Sequence, residues 1–145
     1  MIAIDTNILV RVLINEPTEQ EQCLLARDLI SKHNQVWVSK IVLVETVWVL
    51  TTAYQFEKQD IILVLEKLIQ HPHIQLEDKQ SLDNTLTLFS ASNVGLTDCL
   101  ILNEAMRKNL ILHTFDRKLS RLHGAKKLTQ SFIDEDVERG LHGDD

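Results

Sequence analysis

Four short apolar runs, MIAID at the start and then QVWVS, IQLED and LILHTF, recur along the chain with helix-patterned segments between them. No other feature limits the fold as much. Runs this short and this rich in Ile, Val and Leu do not suit strands with one face in water. The segments between them are long enough to carry the chain back across a sheet. Strand and helix in strict alternation predict a parallel sheet covered by helices. The expected class is therefore α/β: a three-layer α/β/α sandwich around a central, mainly parallel sheet of four to five short strands. AKKL at residues 125–128 supplies the fifth, at an edge.

The helical segments can be placed in outline. TNILVRVLIN continues directly from the first strand. TEQE, from Thr18 to Glu21, has the form of a capping box and predicts a helix running through Ile30. The helix containing Glu45 is expected to end near Tyr54. Further helices are expected over 60–70 and 81–92, and another that Thr97 caps, running through Met106.

The length, 145 residues, suits one domain, and four Gly and two Pro leave little room for disorder. No linker or repeat divides the chain. The expected organisation is one domain over 1–130 and an acidic tail over 131–145. No apolar run approaches the roughly twenty residues that cross a bilayer. The N-terminus has no basic segment followed by a cleavage site, so the expected location is the cytoplasm, away from membranes. Cys23 and Cys99 both fall in helical patterns, which predicts buried reduced thiols.

The net charge of −6 argues at first against a polyanion partner. Its distribution does not. Residues 134–145 hold six acids and one arginine, and the body before them is close to neutral. Between 105 and 130 lie Arg107, Lys108, Arg117, Lys118, Arg121, Lys126 and Lys127, with Asp116 the single acid. Such a stretch suits phosphates, although alone it is equally a solvated surface.

Four acids then stand out. Sites in open parallel sheets form beyond the carboxyl ends of strands. Asp5 ends the first run, Asp116 follows LILHTF, and Asp98 lies at the entrance of a helix. Glu45 sits within IVLVETVWVL, where burial would cost several kcal/mol unless it finds a partner. The plainer alternatives are turn or cap roles for Asp5 and Asp116, a helix-dipole role for Asp98, and pairing of Glu45 with Arg11, Arg27, Lys32 or Lys40. If the four converge, they repel one another, and a divalent cation relieves the repulsion. Oxygen donors alone select a hard ion, Mg²⁺ or Mn²⁺.

AIDTNILVR, VLVETVWVL, GLTDCLILNEA and LHTFDRKLSRL, in this order, resemble the motifs of the PIN domain family, most closely the VapC-type toxin ribonucleases of bacterial toxin–antitoxin pairs. The resemblance runs from residue 1 to about 128. It implies a metal-dependent endoribonuclease with Asp5, Glu45, Asp98 and Asp116 as catalytic and metal-holding residues. It also implies a homodimer and a small antitoxin partner. Asn7 would orient Asp5, and Thr114 would support Asp116. Many members carry a further acid shortly before the third aspartate, and this chain has none between Asp83 and Asp98.

The mechanism so implied is hydrolysis of RNA by a metal-activated water, leaving a 5′-phosphate and a 3′-hydroxyl. Arg107, Lys108, Arg117, Lys118 and Arg121 would hold RNA phosphates. The alternative is a catalytically silent PIN-like module that binds RNA or protein. A flavodoxin-like phosphatase would want a second acid where Asn7 stands, and the chain has no Gly-rich phosphate loop.

Overall fold

A computed structural model describes the backbone of residues 1–142 and the side chains of 1–140. The chain alternates as its pattern predicts. Strand β1 (Ile2–Ala3) leads into helix α1 (Thr6–Leu13), and a 3₁₀ turn at Pro17–Glu19 into α2 (Gln20–Lys32). Strand β2 (Val36–Val38) precedes α3 (Lys40–Ala53) and α4 (Lys58–Gln70); β3 (Ile74–Leu76) precedes α5 (Lys79–Ala91) and α6 (Leu96–Arg107). Then come β4 (Leu112–Thr114), the single-turn α7 (Arg117–Ser120), β5 (Ala125–Lys127) and α8 (Gln130–His142).

All five strands pair in parallel, but in two groups. One sheet has the order β1-β2-β3, with Ile2 opposite Val36 and Val36 opposite Ile74. The other pairs β4 with β5, setting Leu112 against Ala125. The result is a mixed α/β fold with parallel sheets of short strands, the class expected from the sequence.

One face of the first sheet feeds the core. Val36, Val38, Ile74 and Leu76 are buried together with Leu9, Leu50, Leu65 and Leu102. Each fully buried aliphatic side chain of this kind contributes roughly 1.5–3 kcal/mol relative to exposure. On the other face Ala3, Trp37 and Gln75 lie side by side and exposed, a row that the apolar character of the strands does not foretell. The buried polar side chains Thr46, Ser81 and Thr85 are satisfied locally. Thr46 and Thr85 donate to carbonyls four residues back, and Ser81 Oγ accepts from Asn103.

Helix starts differ from the expected ones at α2, α4, α5 and α6, with α5 opening at Lys79 behind the Asp78 cap rather than at Ser81. The TEQE box does not form, because Pro17 draws Thr18 into the 3₁₀ turn, where its hydroxyl donates to Glu16. Helix α2 starts behind Glu19 with no side-chain cap. A capping box forms instead at α4, where Glu57 and Asp60 satisfy each other's backbone amides and begin the helix at Lys58. Helix α6 begins two residues early, with Gly95 in extended conformation at its N-cap, so Thr97 lies inside it. The acidic tail expected over 131–145 is helical as far as it is described: Gln130–His142 form α8, which packs Phe132 against His113 of β4 at 4.6 Å between rings. Cys23 and Cys99 are buried free thiols, as expected.

Candidate active site

Four strands of this fold end on a residue that caps the following helix. Asp5 follows β1, Ser39 follows β2, Asp78 follows β3, and Asp116 follows β4. Each accepts a hydrogen bond from an amide three residues on: Ile8 to Asp5 at 3.0 Å, Val42 to Ser39 at 3.2 Å, Ser81 to Asp78 at 3.3 Å and Leu119 to Asp116 at 2.8 Å. Parallel pairing fixes Asp5, Ser39 and Asp78 to one rim of the first sheet. The plain cap role weighed for Asp5 and Asp116 is therefore real. It occupies only Oδ1 in each. Their Oδ2 atoms have no protein hydrogen bond among the described residues.

Glu45 is exposed, which corrects the expectation that it is buried in apolar surroundings. Helix α3 buries only Leu43, Thr46, Val47 and Leu50. Ile41, Glu45, Trp48 and Thr52, spaced at three and four residues, form a stripe that faces solvent. An all-round apolar helix does not reveal which stripe stays uncovered, and here the stripe with Glu45 does. None of the four cations considered as its partner reaches it. Arg11 bonds Gln22, Arg27 bonds the Val12 carbonyl, Lys32 pairs with Asp28, and Lys40 pairs with Asp78 and Glu104.

Glu45 Oε2 instead accepts from the Thr6 hydroxyl at 3.3 Å, which ties α3 to the residue next to Asp5. Asp98, half-buried, lies in the first turn of α6, where the helix dipole favours a carboxylate. It makes no hydrogen bond or ion pair with a protein side chain among the described residues. Thr114 Oγ1 accepts from the Asp116 amide at 3.0 Å, so it supports that aspartate directly. Asn7 lines an apolar cavity of about 500 Å³ beside Asp5, with Ile8, Arg11, Leu25 and Leu29. The amide that holds Asp5 belongs to Ile8, and Asn7 has no side-chain hydrogen bond among the described residues.

The donor chemistry of these acids fits a hard divalent ion, since no thiolate or imidazole stands with them. Their side chains as placed join Asp5 to Glu45 through Thr6. Among the described residues no three His, Cys, Asp or Glu side chains gather as a metal-holding group.

A second charged cluster lies nearby. Lys40 bonds Asp78 at 3.4 Å and Glu104 at 3.0 Å, and Arg107 also bonds Asp78. The Arg107 guanidinium, helped by the Ser81 amide and Lys40 and opposed by partial burial, holds the Asp78 carboxyl below the usual carboxylate range. The Glu104 hydrogen bond, with Asp78 behind it, raises Lys40 above the ordinary lysine value against the effect of burial.

The five predicted phosphate-binding residues thus divide. Arg107 is engaged by Asp78, and Lys108 shares a cavity with Asp78 and Glu104. Lys118 and Arg121 line a separate cavity with Ser92, Asn93 and Val94, the loop that enters α6. Arg117 stands beside them at the start of α7. Phe115, between Thr114 and Asp116, is 77% exposed. The sequence shows it as the last apolar residue of a strand, and its only signal is alternation, which sets it opposite Thr114.

A family model described as "PIN domain" matches residues 2–125 of the chain. No curated protein matches it. No helix among the described residues is long and apolar enough to cross a membrane.

Proposed function

The chain belongs to the PIN domain family, whose members are typically nucleases that use divalent metal ions, and from that membership we propose that it is an Mg²⁺- or Mn²⁺-dependent endoribonuclease, the cytoplasmic toxin of a toxin–antitoxin pair. One observation carries this. Asp5, Glu45, Asp98 and Asp116 pair with no Lys or Arg among the described residues, in a chain that has fifteen such cations. Two of them, Asp5 and Asp116, end strands, and acids there with no internal counter-charge are suited to a cation from outside.

Asp5 and Asp98 would be the first ligands of the ion, with Glu45 and Asp116 completing the charge around it. When bound, the ion lowers the pKa of an attacking water and draws charge from the phosphoryl oxygens. Asp5 and Asp116 aim their carboxylates from capped helix starts, so little ordering remains to be done. Thr6 donates to Glu45, which would take the proton of the water. Histidines take no part. His71 and His73 precede β3 at the far end of the sheet, His71 Nδ1 accepting from the His73 amide and His73 Nδ1 meeting the Asn34 carbonyl. His113 is stacked on Phe132. Products with a 5′-phosphate and a 3′-hydroxyl follow.

A homodimer and a small cognate antitoxin are the partners we assign besides RNA. Uncovered Ile41 and Trp48 on α3, Leu24 and Leu25 on α2, and the apolar cavity reaching Asp5 support such interfaces. Light scattering that shows only monomer at high concentration overturns the dimer.

The absence of a three-acid group among the described residues favours a second reading, a catalytically silent PIN-like module that binds RNA or protein. Cleavage assays separate the two. The nuclease cuts RNA with Mg²⁺ or Mn²⁺, stops with chelator, and leaves 5′-phosphate ends. Uncut RNA under every metal, or 2′,3′-cyclic phosphate ends, refutes it.

A further inference from the structure

Within the basic stretch between 105 and 130, the cations at the end of α6 and those of α7 have different company. At the α6 end, a phosphate beside Arg107 or Lys108 would meet Asp78 and Glu104 at once. At the α7 end, Arg117, Lys118 and Arg121 pair with no acid among the described residues. Lys118 and Arg121 face Ser92 and Asn93 across a cavity of about 220 Å³. That loop leads within a few residues to Asp98, so an anion held there lies next to the entrance of α6.

Phe115 stands at the head of the same element. Apart from Met1, no large apolar side chain among the described residues is more exposed. Its backbone is fixed on both sides. The Thr114 carbonyl accepts from the Leu128 amide at 2.9 Å, Thr114 Oγ1 accepts from the Asp116 amide, and the Asp116 carbonyl accepts from the Ser120 amide at 3.0 Å. An exposed aromatic residue on a fixed backbone, followed closely in sequence by unpaired cations, has the two elements of a single-strand platform, a stacking face and a backbone clamp. A protein partner would equally cover an apolar ring. The three cations within six residues of it favour a polyanion.

We propose that Phe115 stacks on an unpaired RNA base next to the scissile phosphate, and that Lys118 and Arg121 hold the adjoining backbone phosphate, so that α7 and not the end of α6 carries the substrate. This rests on the nuclease reading above and adds to it the residues that select where the strand is gripped.

The test uses the full chain with Asp5→Asn, which stops cleavage, and a short fluorescein-labelled single-stranded RNA read by anisotropy over a salt series. Phe115→Leu, which keeps apolar bulk but removes the aromatic face, weakens binding by about tenfold. Phe115→Tyr restores it. Lys118→Gln with Arg121→Gln weakens binding and flattens its salt dependence, whereas Arg107→Gln leaves the slope unchanged. Equal binding by the Leu and Phe proteins overturns the stacking role, as does failure of Tyr to rescue. An equal loss of salt dependence on Arg107→Gln overturns the choice of α7. If the parent binds no RNA and the wild-type chain cuts none, the nuclease reading itself has failed, and that outcome is visible before any Phe115 variant is compared.

Discussion

Asp5 and Asp78 occupy equivalent places. Each follows a strand of the same sheet, caps the next helix, and accepts an amide hydrogen bond from the third residue on. They differ in company. Asp78 is held by Arg107 and Lys40, in a left-handed backbone conformation with φ of 52°. Asp5 has no cation, and its neighbour across Thr6 is another acid, Glu45. A carboxylate neutralised from within the fold braces α3, α5 and α6 together. A carboxylate left without a counter-charge contributes little to holding the fold and is available to a ligand. Topology puts an acid at the strand end in both places, and the cations decide its use.

The largest effect expected is on the Asp5 side. Asp5→Asn keeps the cap, since Asn caps as well as Asp, so the melting temperature stays close to wild type. RNA cleavage falls at least about 100-fold, no less than the loss that follows removal of a ligand's outer partner. Single-turnover cleavage and a thermal melt on one preparation check both halves. Glu45→Gln reduces cleavage less, by about tenfold, if its part is to orient water and share charge; a rate equal to wild type would detach Glu45 from the site.

Asp78→Asn gives the opposite profile. Asn tolerates the left-handed backbone and retains the cap, so the change isolates the ion pairs. Because the partners are partly solvated, the loss of stability is about 1 kcal/mol in urea denaturation, with cleavage per folded molecule unchanged. A loss of cleavage as large as that of Asp5→Asn would erase the distinction between the two acids.

The smallest effect is in the pH dependence. The Asp78 carboxyl titrates below 3.8 in the folded chain and near 3.8 when unfolded, so between those values the unfolded chain binds more protons. Its contribution is full above 3.8 and is lost as pH falls through the lower, folded value. Lys40 acts at the other limit: its stabilisation is full below 10.5 and is lost as pH rises through its raised folded value. Asp78→Asn flattens the acid limb of a stability–pH curve, and an acid limb as steep as that of wild type would contradict the ion pairs.

How far this contrast could be read in advance depends on the range of the interactions. The places of Asp5 and Asp116 at strand ends were legible because a short apolar run gives way to a helical one at each, and that switch is local. The partners of Asp78 lie 38 residues back in Lys40 and 29 ahead in Arg107, and nothing near Asp78 announces them. The exposure of Glu45 was hidden for a different reason. With Ile41 and Trp48 on its own stripe, α3 has no polar face to mark the side that meets water. The box at Glu57 was missed because an acid does there what Ser or Thr does elsewhere. The helix over 130–142 was concealed by charge, since among the described residues its Phe132 ring packs on His113 while most of its other side chains are exposed.

The most direct test of the central claim is Mn²⁺ binding, followed by the electron paramagnetic resonance signal of the free ion during titration of four full-length proteins. Wild type and Asp78→Asn should bind alike, while Asp5→Asn and Asp98→Asn bind about 10- to 100-fold more weakly. Equal affinity in all four, or a loss in Asp78→Asn matching that in Asp5→Asn, would contradict the account.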